Sequence, residues 1–162
     1  MENYAMEHQP KIEVKEMLSS DKKFLEEAAA LVSEHSWGGE YPVSPIDEIR
    51  VAEYCAGATE GDRLVGFGTV GRSFSPDALD NGELWIAHAV VDPAFRNRGI
   101  YKKLYDLRLS YALSQAGRIL SCTDNPIVAE FFMKHGWKKI RETVDESGDA
   151  TTVFEYSRSG SE

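Results

Sequence analysis

Val91-Asp92-Pro93-Ala94-Phe95-Arg96-Asn97-Arg98-Gly99-Ile100-Tyr101-Lys102-Lys103-Leu104 is the stretch that decides how this chain folds. Upstream of it, Glu83–Val91 is an apolar run that reads as a strand. Downstream, Ile100, Leu104, Leu107 and Tyr111 recur at i, i+4, i+7 and i+11, and Tyr105, Leu109 and Leu113 add a second apolar row. That period is helical, and two apolar rows predict burial against a sheet. The quoted stretch is therefore a strand-to-helix turn. A helix N-terminus leaves backbone N–H groups unpaired and carries partial positive charge, which favours phosphate. Gly99 lets the turn approach a ligand closely. Arg96, Arg98 and Lys102 or Lys103 add full charges at the same place. Amides, dipole and cations together predict a ligand that carries a pyrophosphate.

The rest of the chain is arranged around this step. Lys11–Leu18 has strand-like spacing at Ile12, Val14 and Leu18. Asp21–His35 reads as a helix with Phe24, Ala28, Leu31 and Val32 on one face, and Ser36–Val43 as a Gly/Pro-broken loop. Ser44-Pro45-Ile46-Asp47 resembles a capped helix start with proline at the first position. Glu53–Ala58 and Arg63–Arg72 read as strands joined at Glu60-Gly61-Asp62. Gly117 stops the long helix, and Arg118–Cys122 is a short strand. Asn125 as cap, Pro126 as first residue and Gly136 as stop frame a further helix. Trp137–Val144 and Thr151–Tyr156 close as a strand pair across Asp145–Asp149. This order predicts an α/β (α+β) fold: a mixed, mostly antiparallel central sheet of six to seven strands with four helices. The strand–helix–strand step from Val91 to Cys122 permits a parallel pairing at the centre. Residues 11–157 read as a single domain, with 1–10 and 158–162 as flexible termini.

Composition narrows the function. The 162 residues carry a net charge of −9, which argues against a nucleic-acid partner held by general basic attraction. Yet from Ala94 to Tyr105 there are four cations and no acid, a local cluster suited to a small anion rather than a long polyanion. No run of 18 apolar residues predicts a membrane span, and the first ten residues do not read as a secretory signal. Cys55 and Cys122 form no CxxC, so reduced thiols in a cytoplasmic protein are expected. His8, His35, His88 and His135 lack ligand spacing, and no metal is expected. Gly66-Phe67-Gly68-Thr69-Val70-Gly71 matches G-x-G-x-x-G. A dinucleotide site needs those glycines between a strand and a helix. Here they lie inside a strand pattern followed by loop-like Arg72–Gly82, which favours a bulge or a close backbone approach.

The motifs resemble those of the GCN5-related N-acetyltransferase superfamily. Its [Q/R]-x-x-G-x-[G/A] signature, after a strand ending in V-x-P, is approached by Arg96-Asn97-Arg98-Gly99-Ile100 following Val91-Asp92-Pro93. A second feature, N-x-x-A-x-x-[FL]-Y-x-K-x-G-[FW], is met by Asn125, Phe131, Lys134, Gly136 and Trp137. The resemblance implies acetyl-CoA, or another acyl-CoA, as co-substrate. It implies two splayed parallel strands, Glu83–Val91 and Arg118–Cys122, with the pantetheine arm between them. Backbone groups of Ala89, Val90 and Val91 would pair with the arm, and Asn125 would contact it. The segment Arg96, Asn97, Arg98, Gly99, Ile100 and Tyr101 would hold the pyrophosphate. The implied reaction is direct acetyl transfer to a primary amine of a small molecule or peptide. The alternative is a non-catalytic acyl-CoA-binding module of the same fold.

Two departures stand out. Tyr101 replaces the small residue that ends the signature, so its ring either crowds the phosphates or hydrogen-bonds them. Phe132 stands where the family often has a tyrosine that protonates the leaving thiolate, which leaves Tyr101, Tyr105 or solvent for that task. The strand positions that often supply the base fall on Trp85 and Ala87, so Glu83 and His88 are the catalytic candidates. His88 alternates to the wrong face unless a bulge intervenes. Trp37 and Tyr41 are candidate acceptor walls, and Glu34 and Glu40 candidate acidic contacts. Whether the chain pairs as a homodimer stays open at this stage.

Overall fold

The computed structural model describes residues 11–35 and 45–158. The expectations on the first ten residues, on Trp37, Glu40 and Tyr41, on the cap at Ser44 and on 159–162 lie outside the described residues. Seven strands form one sheet in the order β1-β2-β3-β4-β5-β7-β6. They are β1 (Ile12–Met17), β2 (Tyr54–Glu60), β3 (Arg63–Gly71), β4 (Leu84–Val91), β5 (Arg118–Thr123), β6 (Lys138–Val144) and β7 (Ala150–Ser157). Every neighbouring pair is antiparallel except β4 and β5. The helices are α1 (Lys22–His35), α2 (Pro45–Arg50), α3 (Ile100–Gln115) and α4 (Pro126–Lys134).

Capping and burial explain the elements. Asp21 accepts from the amides of Lys23 and Phe24, at 2.9 and 3.2 Å, and starts α1. Phe24, Leu25, Ala28, Leu31 and Val32 of α1 then pack with Phe67 on one face of the sheet. On the opposite face α3 buries Ile100 and Leu104 against Ala56, Ala58, Val65 and Val91. Farther along that face α4 seals Phe132 against Leu84, Ile86, Ile119 and Phe154. Fully burying one such side chain contributes roughly 1.5–3 kcal/mol.

Two features of β4 shape the centre. Its parallel ladder with β5 contains only Leu84–Ile119 and Trp85–Leu120. Ser121 Oγ donates to the Ile86 carbonyl at 2.8 Å, and beyond that point the strands part into a V. On the other side of β4, Phe67 faces Val90 while Thr69 faces Ala87. Gly68 therefore stands against two residues, His88 and Ala89, in a β-bulge. His88 takes φ of 60°, left-handed backbone that costs a non-glycine residue roughly 1–2 kcal/mol.

The glycine-rich run finds its role here. β3 is a hairpin strand, and no helix follows Gly71 before β4. That geometry excludes the dinucleotide reading. Gly68 instead leaves room for Arg108 of α3, whose Nε would lie 2.6 Å from a Cβ built there. Arg108 Nε donates to the Leu104 carbonyl and Nη1 to the Ala87 carbonyl, each at 3.1 Å. Pinned twice, the guanidinium cannot yield cheaply. Gly68→Ala is expected to lower stability by about 1–3 kcal/mol through overpacking. Gly117→Ala, where an added Cβ meets nothing within 4 Å, is expected to be neutral or slightly stabilising. Thermal unfolding of the two variants checks the contrast.

Candidate active site

The turn after β4 is built by its own side chains. Asp92 accepts from the Ala94 amide at 2.9 Å and caps a short 3-10 turn, Pro93–Phe95. Arg63 Nη2 pairs with Asp92 at 2.8 Å. Phe95 is buried, and the guanidiniums of Arg63 and Arg98 lie over its ring at 5.4 and 5.1 Å from the centroid. Arg96 Nε donates back to the Val91 carbonyl at 3.2 Å. Asn97 and Gly99 both have positive φ, 65° and 77°. Gly99 is the N-cap of α3, and among the described residues no side chain caps that helix end. No acid occupies its first turn either. The amides of a 16-residue helix therefore open toward solvent beside Arg98, a site fitted to an anion. Lys102 takes no part: its ammonium bonds Asp106 at 3.0 Å.

The V between β4 and β5 continues from this turn. Past Trp85, among the described residues, β4 has a strand partner only on its β3 side, and β5 only on its β7 side. Such an unpaired edge accepts an extended ligand that carries amides. A cavity of about 130 Å³ occupies the V, lined among others by Ala87, Ala89, Tyr101, Arg108 and Phe132. Tyr101 points into this cavity, edge-on to Phe131 at 5.3 Å. Burial pushes its phenol above the ordinary range, against the opposing pull of Arg108.

A second cavity, of about 360 Å³, meets the first along Ile86, Ala87, His88 and Cys122. Glu48, Asp124, Asp145, Glu146 and Asp149 line it, and among the described residues no lysine or arginine does. Its Ser73–Pro76 wall belongs to a loop tied down by Arg141, which bonds Asp77 at 2.9 Å and Asp80 at 3.0 Å. The Arg141 hydrogen bonds hold Asp77 well below the usual carboxylate range. A further cavity, about 550 Å³ between α1 and α2, shares no residue with these two.

His88 sits at the junction because the bulge adds a residue to β4. Its Nδ1 lies 2.6 Å from Thr69 Oγ1 and its Nε2 2.7 Å from Glu48 Oε1. A carboxylate only accepts, so Nε2 carries the proton between them. Thr69 Oγ1 also lies 3.1 Å from the Ala87 carbonyl. Phe74 meets the imidazole edge-on at 4.6 Å.

The predicted site residues divide clearly. Ala89, Val90, Val91, Arg96, Asn97, Arg98, Gly99, Ile100, Tyr101 and His88 follow one another along the V and its turn. Asn125 spends its side-chain oxygen on the amides of Ile127 and Val128, as the cap of α4. Glu83 is not brought in. It is exposed and precedes β4 at the end where β4 and β5 are still paired, about 17 Å of extended chain from His88. Glu34 also lies elsewhere, beside His35 on α1. The sequence reading missed Glu48, Thr69, Arg108 and the acids of the β6–β7 turn. Only Arg108 left a signal, as a lone cation in the apolar row Leu104–Ala112.

A mixed sheet whose central parallel strands part over an open helix N-terminus is the architecture of an acyl-group transferase. The acetyltransferase (GNAT) family profile matches residues 14–137, and the chain belongs to that family. Among solved structures, a Pyrococcus horikoshii protein superposes with a TM-score of 0.70 at 21% identity, over 91% of this chain and 98% of that one. A GNAT-family acetyltransferase from Bacillus cereus gives 0.63 at 20% identity, over 91% and 98%. The N-acetylglutamate synthase of Neisseria gonorrhoeae, solved with coenzyme A and N-acetyl-glutamate, gives 0.62 at 14% identity, over 92% of this chain and 35% of that one. None of the curated proteins matches the chain. Among the described residues no helix is long and apolar enough to cross a membrane, and no group of three His, Cys, Asp or Glu could hold a metal.

Acetyl-CoA at a hundred times its Kd is expected to stabilise the fold by about 2.7 kcal/mol. The melting temperature should rise accordingly. Arg98→Glu, which reverses the charge beside the open amides, should abolish the rise.

Proposed function

We propose that the protein transfers an acetyl group from acetyl-CoA directly to a cationic primary amine, on a small molecule or a peptide. The observation that carries this reading is the junction of two unlike cavities at His88: an amide-edged V on one side, a carboxylate-lined pocket on the other. The open amides of α3, with Arg98, would take the pyrophosphate. The free edge of β4 at Ala89–Val91 would pair with the amides of the pantetheine arm. Five carboxylates favour an acceptor that arrives as an ammonium ion.

An ammonium nitrogen has no lone pair, so a proton must leave before attack. The Glu48–His88 pair faces the acceptor pocket and is the base that takes it. Thr69 fixes the ring from behind. The amine then attacks the thioester carbonyl. Ala89 stands in the bulge opposite Gly68, outside the paired register of β3 and β4, so its amide is the one on hand for the developing oxyanion. Collapse of the adduct forms the amide and releases CoA.

A thiol-release assay across monoamines, diamines, amino acids and lysine peptides tests the reading. Release is expected with acceptors of net positive charge and not with anionic ones. Acetyl-CoA binding without release for any amine would leave only the binding module. With a working acceptor, His88→Gln and Glu48→Gln should each lower kcat/KM by about 10²-fold while the Kd for CoA stays within a few-fold.

A further inference from the structure

Arg63, Arg72, Arg118 and Arg141 are all partly exposed, and each meets a carboxylate. Arg108 is 1% exposed, and among the described residues it meets none. Its Nε and Nη1 donate to the Leu104 and Ala87 carbonyls, which are neutral acceptors. Nη2 forms no hydrogen bond, yet among the described residues no unpartnered side-chain nitrogen or oxygen is sealed from solvent. Nη2 therefore opens onto the V, the cavity that Arg108 lines. The two carbonyls account for Nε and Nη1. They account for neither the charge nor Nη2, because a neutral donor would bond both carbonyls without burying a cation. A ligand that brings a negative charge into the V offsets that burial.

The place of Arg108 selects the part of the ligand that carries the charge. Among the described lining residues it is the one permanent charge of the V, whereas five carboxylates line the second cavity. It follows Ile100 by eight residues, about 12 Å along α3 and away from the open amides. Its Nη1 instead holds the residue before His88, where the two cavities meet. The part of an acyl-CoA at that depth is the acyl group and not a phosphate. A cavity of about 130 Å³ restricts that group to a few heavy atoms beyond the arm.

Resting on the acetyl-CoA reading above, we propose that the V also takes as donors the CoA thioesters of short dicarboxylic acids, with the free carboxylate paired to Arg108. Two N–H groups of Nη2 are on hand for that carboxylate, and such charge-assisted bonds are the strong ones. The transfer itself is unchanged. The amine lone pair forms the C–N bond, and the C–S bond breaks with its electron pair left on sulfur. Of the two protons shed by the ammonium nitrogen, one ends on the thiol and one in solvent. The product carries a carboxylate where the acceptor carried an ammonium, so the acid-lined pocket that attracts the acceptor repels the product. Arg108 is a specificity-determining residue in this scheme.

The test compares donors of equal chain length that differ in the terminal carboxylate. Dissociation constants are measured by calorimetry on the full chain for malonyl-CoA against propionyl-CoA and for succinyl-CoA against butyryl-CoA. At least one carboxylated donor is expected to bind about tenfold or more tightly than its neutral counterpart. Arg108→Met should erase that advantage and leave the Kd of acetyl-CoA within a few-fold, and Arg108→Lys should keep part of it. A merely structural arginine would move all donors alike. If Arg108→Met does not fold, the wild-type pairs and Arg108→Lys decide. The amine screen by thiol release is then run with the favoured donor, and release is expected. Equal affinity within both pairs, an advantage that survives Arg108→Met, or tight binding without release where acetyl-CoA is turned over overturns the proposal and leaves the acetyl-CoA reading intact. Failure of every CoA thioester to bind overturns that reading instead.

Discussion

The hydrogen bond from Arg108 to the Ala87 carbonyl holds the middle of the sheet in the form the site requires. In a regular ladder that carbonyl would face a strand amide. The bulge at His88–Ala89 takes it out of register, and the parallel pairing with β5 has already ended at Trp85. A main-chain acceptor buried in this way needs a partner. The guanidinium of α3 and the Thr69 hydroxyl, each at 3.1 Å, supply it, and the missing side chain of Gly68 gives the guanidinium room. Helix, bulge and V are thereby locked to one another. The strained backbone of His88 belongs to the same arrangement, since strain of this kind persists only where the surroundings over-determine it.

The charge is divided by the same centre. Around the open end of α3 the side chains are cationic, with Arg63 and Arg98 over Phe95 and Arg96 tied to Val91. Around the second cavity they are anionic, with His88 the one imidazole among the described lining residues. The net charge of −9 conceals this separation, because it sums two fields that meet different ligands. On the proposed reading, an anionic donor and a cationic acceptor would each be drawn to their own mouth and repelled from the other.

Much of the fold was legible in the sequence because its signals are local. The row Ile100–Leu104–Leu107–Tyr111, the cap at Asn125 and the turn at Asp92-Pro93 each specify their element within a few residues. The anion-binding half of the site was legible for the same reason, being one continuous segment. The catalytic half was not. Alternation along β4 cannot show where its ladder with β5 stops, so Glu83 seemed as well placed as His88. One inserted residue reverses the face of all that follow, and the bulge is fixed by Gly68 and Arg108, both remote in sequence. Glu48 meets His88 from forty positions away. The acids of the β6–β7 turn reach the pocket only through the strand order β4-β5-β7-β6.

That topology also explains why a hydroxyl on α4 would serve poorly here. Phe132 is 3% exposed, tilted against Trp137 at 4.8 Å and Phe154 at 5.4 Å, within a cluster built of apolar and aromatic side chains. A phenol at that position would gain a polar atom to satisfy at the edge of a packed wall. The one indole N–H in that cluster already donates to Tyr105 and is not available to it. α3 differs because Arg108 brings polarity into its buried row, with donors that end on the Leu104 and Ala87 carbonyls. The apolar ring at 132 and the guanidinium at 108 are then two parts of one arrangement: polarity enters the V from the helix that carries the buried charge, and the opposite wall packs.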